Sequence, residues 1–106
     1  MPADGRISWN DSAARIRNLV RATSTPFPGA WTTLDGSTVR VWRAEIPIGY
    51  RAPLKAAPGA ILEVRDDGVL VSTRDNALLL TEAEIETGDT DDRTAFGEEH
   101  AGRVFD

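Results

Sequence analysis

The sequence predicts a mainly β domain with one amphipathic helix at its N-terminal end, and three observations support this prediction. Residues 10–23 place apolar side chains at helical spacing, whereas residues 30–85 contain short runs rich in β-branched and aromatic residues. Pairs such as Asp35-Gly36 separate these runs, and such pairs are typical of tight hairpin turns. The length of 106 residues fits one domain, so we expect residues 1–106 to fold as a single unit.

The helix is predicted over residues 10–23. Five residues recur at intervals of three and four and can place one face on a core: Ala13, Ile16, Leu19, Val20 and Thr23. Asn10 or Asp11 can cap the first turn by accepting backbone N–H bonds, and Pro26 prevents the helix from continuing. Arg17 and Arg21 are four residues apart and therefore lie together on the polar side.

Five strands are predicted near residues 30–34, 37–46, 60–65, 69–74 and 77–85. Asp35-Gly36, Asp67-Gly68 and Asp75-Asn76 are the predicted turns, and the proline-rich residues 47–58 are predicted to form an exposed loop. A short C-terminal helix is expected from about Thr94 to His100, docked through Phe96. One helix and five short strands fit a small, partly open barrel of the OB type better than a sandwich.

Composition removes several classes of site. The chain has no cysteine, which excludes disulfides, thiolate metal sites and a cysteine nucleophile. His100 is the only histidine and has no accompanying catalytic motif, so catalysis by this chain is not expected. No phosphate-cradling glycine motif, paired-histidine metal motif or membrane-spanning apolar run is present, and a cytoplasmic location is the default expectation.

Charge is distributed unevenly along the chain. The net charge is −5, but residues 1–51 carry seven arginines against four carboxylates, whereas the rest carries five basic and thirteen acidic residues. Arg17, Arg21, Arg40 and Arg43 are the candidate contacts for a substrate or RNA, because arginine forms bidentate bonds to carboxylate or phosphate. The alternative is that each arginine solvates the surface or pairs with a nearby acid. The three tryptophans can likewise be stacking surfaces or core residues.

An ordered series of short motifs runs through nearly the whole chain. It comprises "DGRISW" at 4–9, Arg21-Ala22, "PGAW" at 28–31, Val41-Trp42 and Pro58-Gly59. With these motifs the chain resembles the C-terminal domain of the methionyl-tRNA formyltransferase-like family. The resemblance implies an OB-like barrel behind a Rossmann-like catalytic domain that transfers a formyl group from 10-formyltetrahydrofolate to an amine. The family's folate-binding and catalytic residues belong to that other domain, so the resemblance implies no cofactor, metal or catalytic residue in residues 1–106.

Three functions follow as hypotheses from this resemblance. The first is a non-catalytic accessory domain that packs on a formyltransferase catalytic domain, in cis or in trans, and helps position a small amine substrate. The second is a platform that contacts tRNA; against it, the Gly-Lys-Lys segment of the tRNA enzymes is replaced here by Gly88-Asp89-Thr90-Asp91, and the C-terminal half is acidic. The third is a stand-alone protein-interaction domain, with its strand edges as the docking surface.

Overall fold

One helix is followed by an antiparallel sheet in the computed structural model, which describes residues 5–23, 29–53, 55–86, 93–94 and 96–105. The elements are α1 (Ala13–Thr23), β1 (Ala30–Leu34), β2 (Ser37–Glu45), β3 (Ile61–Arg65), β4 (Gly68–Ser72), β5 (Ala77–Glu86), β6 (Arg93–Thr94) and a 3₁₀ turn (Glu98–His100). The predicted mainly β fold with an N-terminal helix and five principal strands is confirmed.

The strands form one sheet in the order β1-β2-β5-β4-β3, and β6 pairs with the end of β5. Within the described residues β1 and β3 do not pair with each other, so the sheet stays open instead of closing into a barrel. Backbone from each end of the chain lies along the two outer strands. The Ile7 N–H donates to the Trp31 carbonyl at 2.8 Å, and the Ile61 N–H donates to the Arg103 carbonyl at 2.7 Å.

Local sequence explains the first hairpin. Asp35 and Gly36 both have positive φ, 52° and 86°, as a two-residue type I′ turn requires. The turn between β3 and β4 differs by one residue from the predicted Asp67-Gly68. The structure places Asp66 and Asp67 between the strands and begins β4 at Gly68, which pairs with Arg65.

The main core lies between α1 and the sheet. Ala13, Ile16 and Val20 are the buried residues of the helix, and they belong to one cluster with buried residues of β2 such as Val39 and Val41. A second, smaller cluster contains Leu70, Ala77 and Leu79, packed against Tyr50, Ala52 and Leu62. Because Tyr50 and Ala52 belong to the long loop between β2 and β3, that loop contributes to folding although much of it is exposed, as predicted.

The start of α1 differs from the prediction. Instead of Asn10 or Asp11, the Ser12 hydroxyl accepts a hydrogen bond from the Arg15 N–H at 3.2 Å. The carboxylate of Asp75, in the turn between β4 and β5, accepts a second bond from the Ala13 N–H at 3.0 Å. Two of the unpaired N–H groups that open every helix are thereby satisfied, one of them by a residue far away in the chain.

Asp75 makes the stability of the fold depend on pH. The hydrogen bond from the Ala13 N–H, aided by the Thr73 hydroxyl, lowers the pKa of Asp75 below its ordinary value. The ionised carboxylate therefore stabilises the folded state above the pKa of an unfolded aspartate, about 3.9. This contribution is lost as the pH falls through the lower folded-state pKa.

We expect Asp75→Asn to lower the free energy of unfolding by about 0.5–1 kcal/mol near neutral pH, because the helix N-terminus loses its charged partner. The difference between the two proteins should shrink as the pH falls below about 4, the pKa of an unfolded aspartate, and should be smallest below the lower folded-state pKa of Asp75, where the native carboxyl group is protonated as well. Urea titrations of both proteins across this range measure it. A difference that stays constant with pH would contradict the assigned role of the charge.

The C-terminal helix is shorter than expected and starts later. Arg93–Thr94 pair with β5 as a strand, so the helical part is the single 3₁₀ turn Glu98–His100. Phe96 precedes this turn and meets the ring of Phe105 edge-on, with 6.0 Å between the ring centroids. The expected docking through Phe96 is thus present, with Phe105 as the buried partner.

Candidate functional site

The two candidate arginines of β2 form ion pairs with glutamates of β5. Arg40 Nε lies 3.1 Å from Glu86 Oε2, and Arg43 Nε lies 2.8 Å from Glu82 Oε2. The second pair is well exposed, with 76% of the Arg43 side chain accessible, so it contributes little to stability. For Arg40 and Arg43 the structure therefore supports the alternative stated above, that they pair with nearby acids.

The two candidate arginines of α1 are placed differently. Arg17 and Arg21 lie one helical turn apart, and α1 carries a third arginine, Arg15, and no acidic residue. Among the described residues no ion pair involves any of the three arginines. Arg15 and Arg21 are exposed, whereas Arg17 is half-buried. Three of the seven arginines of residues 1–51 therefore lie on α1.

A surface cleft of about 420 Å³ lies where the C-terminal end of α1 meets β2 and β5. Its lining residues are Arg21, Trp42, Arg43, Ala44, Glu45 and Thr81. The structure therefore brings two of the four predicted residues, Arg21 and Arg43, to one cleft, whereas Arg17 and Arg40 do not line it. Sequence reasoning missed Glu45 and Thr81, and it considered Trp42 only as one of three possible stacking surfaces.

An irregular strand pairing shapes this cleft. The register between β2 and β5 shifts on both sides of Arg43, because Val41 pairs with Ala83, Arg43 with Glu82, and Ala44 with Leu80. Bulges of this kind change the direction in which side chains point and occur often beside functional sites. Here the shift falls among the residues that line the cleft.

Gly29 packs against Trp42, one of the residues that line the cleft. Its φ of +89° suits glycine, and its N–H donates to the Thr23 carbonyl at the end of α1 at 2.8 Å. A Cβ at this position would lie 2.7 Å from Cζ3 of Trp42, so the indole packs directly on the glycine backbone. The glycine of the "PGAW" motif therefore fixes Trp42, while Pro28 of that motif lies outside the described residues.

His100 has structural contacts in this fold. Its Nδ1 accepts a hydrogen bond from the Gly97 N–H at 3.0 Å, and its ring meets Phe96 edge-on at a centroid distance of 5.3 Å. In the described part of the chain no three His, Cys, Asp or Glu side chains are grouped closely enough to hold a metal ion. No helix within the same residues is long and apolar enough to cross a bilayer. The Gly88–Asp91 segment lies outside what the structure describes.

The fold and the cleft define the chain as a small β domain that presents arginine, tryptophan and glutamate side chains on one surface. Residues 1–100 match the model of the formyl transferase C-terminal domain, and the chain belongs to this family. The resemblance found in the sequence is thereby confirmed.

Curated relatives support the same assignment. Methionyl-tRNA formyltransferase of Alkaliphilus oremlandii is 35% identical over 76% of this chain and 25% of its own length. The enzyme of the same name from Alkaliphilus metalliredigens is 40% identical over 72% of this chain and 23% of its own length. The chain thus spans about a quarter of the length of these relatives.

Solved structures agree with the family. A crystal structure of HypX from Aquifex aeolicus in complex with tetrahydrofolic acid matches with a TM-score of 0.60 and 28% identity. The match covers 82% of this chain and 15% of that chain. The same kind of domain is therefore found in proteins of different overall length. A role of Arg17, Arg21, Arg40 and Arg43 in contacting a ligand stays a prediction.

Proposed function

We propose that this chain acts as the non-catalytic accessory domain of a 10-formyltetrahydrofolate-dependent formyltransferase-like protein. It packs on the catalytic domain, in cis or in trans, and helps position a small amine substrate. The observation that carries the proposal is the family match over residues 1–100, combined with a chain that spans only about a quarter of its curated relatives. The folate cofactor belongs to the catalytic domain in this proposal, and the expected compartment is the cytoplasm.

The cleft supports the positioning part of the proposal. Arg21 is exposed and has no ion-pair partner in the described residues, so its guanidinium is available to a ligand. Arg43 is oriented by Glu82, and the register shift of β2 lies among the residues that line the cleft. These residues bind and orient; the chemical step takes place on the partner domain.

The purified chain is expected to show no formyl transfer from 10-formyltetrahydrofolate to primary amines, because in this proposal the folate and the catalytic residues belong to the catalytic domain. An intact methionyl-tRNA formyltransferase assayed with its own substrate is the positive control for the formyl donor. Turnover by the isolated chain, in proportion to its concentration and retained through repurification, would overturn the accessory role.

Contact with tRNA is a second candidate function, favoured by the three arginines of α1 and by the names of the curated relatives. Such binding would weaken steeply with salt, with a slope of about −0.9 per neutralised phosphate on a duplex. Arg17→Ala/Arg21→Ala should abolish it. Because Arg40 and Arg43 are paired with β5 glutamates, the four arginines do not form one unpaired patch, and we rank this function second.

A further inference from the structure

We propose that the cleft between the end of α1 and the β2–β5 pair binds a small zwitterion, with a carboxylate held by Arg21 and an ammonium group held by Glu45. This inference deepens the proposed function, since it names the class of amine substrate, and its biological meaning rests on that function. The binding itself is a property of this chain alone and can be measured without a catalytic domain.

The charges that line the cleft carry the inference. Arg21 and Glu45 are both exposed and both line the cleft, yet within the described residues neither forms an ion pair with the other or with a third residue. Arg43, the remaining charged residue of the lining, is already paired with Glu82. One cation and one anion are thus left to face the same volume. A ligand with both charges complements this pair better than a purely anionic or cationic ligand.

The uncharged lining suits the body of such a ligand. Trp42 packs on Gly29 and offers an indole surface that attracts ammonium groups and covers methylene groups. The Thr81 hydroxyl adds a donor and acceptor. A volume of about 420 Å³ lies within the range of small-molecule sites, and it is large enough for an amino acid of six carbons.

The test titrates the full 106-residue chain with four six-carbon probes. Binding is measured by the NMR chemical shifts of backbone amides and indole N–H groups. L-norleucine and 6-aminohexanoate are isomeric zwitterions, whereas hexanoate and hexylamine each keep one charge. We expect at least one zwitterion to shift the signals of Trp42 and Thr81 at millimolar concentration. It should bind about tenfold more tightly than either singly charged probe, because each lost charged hydrogen bond weakens binding by that order.

Three variants test which residue binds each charged group of the ligand. Arg21→Gln should weaken the zwitterion about tenfold and leave hexylamine unaffected, whereas Glu45→Gln should weaken the zwitterion equally and leave hexanoate unaffected. Arg15→Gln is the matched control, because Arg15 is exposed on the same helix and does not line the cleft. The native amide spectrum of each variant shows that it is folded.

The inference would be overturned if the zwitterion shifted signals away from the cleft, or if it bound no more tightly than a singly charged probe. It would also be overturned if the zwitterion bound both cleft variants as tightly as the native chain. The absence of any shift with both zwitterions would overturn it too. These outcomes are independent of the accessory role, which fails only if the isolated chain transfers formyl groups or if the domain proves dispensable in a formyltransferase. A folded chain that binds no zwitterion but supports a catalytic domain would refute the site alone.

Discussion

Gly68→Ala is expected to lower the free energy of unfolding by about 3 kcal/mol or more, since it combines backbone strain with overpacking. Gly68 has φ of +150°, and a Cβ built there would lie 2.4 Å from the Leu80 carbonyl oxygen and 3.0 Å from its carbonyl carbon. Both atoms are backbone of β5, so no side-chain rotation can relieve the contact. The free energy of unfolding of a typical domain is only about 5–15 kcal/mol, so this loss is a large fraction of it.

Gly36→Ala is the matched control for this prediction. Gly36 also has positive φ, +86°, but nothing lies within 4 Å of the Cβ that would be added. The control should therefore lose only the cost of a left-handed residue, about 1–2 kcal/mol. Urea denaturation followed by circular dichroism measures both variants. Equal losses at the two positions would show that the close approach of β4 to Leu80 has no energetic consequence.

Trp9→Ala is expected to lower the free energy of unfolding by about 3–5 kcal/mol, as large-to-small changes at buried aromatic residues do. Trp9 is 4% exposed, and its ring stacks on Phe105 with 5.2 Å between centroids. Its Nε1 donates to the Thr32 hydroxyl of β1 at 3.1 Å. One side chain therefore joins the N-terminal segment, the sheet and the C-terminal segment.

The loss should be largest where the C-terminal segment meets the sheet. We expect amide exchange at Phe105, whose N–H donates to the Gly59 carbonyl at 2.8 Å, to accelerate more than at the centre of β5. Trp9→Phe keeps a ring for stacking and removes the indole N–H, so its loss should be smaller. If Trp9→Phe were as damaging as Trp9→Ala, the hydrogen bond and not the stacking would hold the segment.

Features encoded by neighbouring residues were predictable. The apolar spacing of residues 10–23 predicted a helix, which is observed as Ala13–Thr23. Asp35-Gly36 predicted the first hairpin, because these two adjacent residues tolerate positive φ. The limits of β1 agreed with the prediction for the same reason: its alternation and the following turn are both local. The family resemblance added what periodicity could not, because it rests on motifs spread along the whole chain.

Features that depend on long-range pairing were not predictable. The sequence left open whether Arg40 and Arg43 contact a ligand or pair with nearby acids. Their glutamate partners lie on β5, and only the β2–β5 register brings them together. The same pairing, with its shifts beside Arg43, places Glu45 of β2 and Thr81 of β5 in the lining of one cleft. The cap from Asp75 depends on a contact between a turn and a helix 62 residues apart. The ion pairs, the cleft and the cap from Asp75 all depend on the tertiary fold, which no local sequence pattern predicts.

The accessory role is tested most directly by replacing the matching quarter of the Alkaliphilus oremlandii methionyl-tRNA formyltransferase with this chain. Formyl transfer to methionyl-tRNA is then compared between this chimera and the same enzyme truncated before the replaced part. We predict that the chimera is faster than the truncated enzyme, because the domain packs on the catalytic part and supports its activity. A folded chimera that is no faster than the truncated enzyme would contradict the packing on which the accessory role depends.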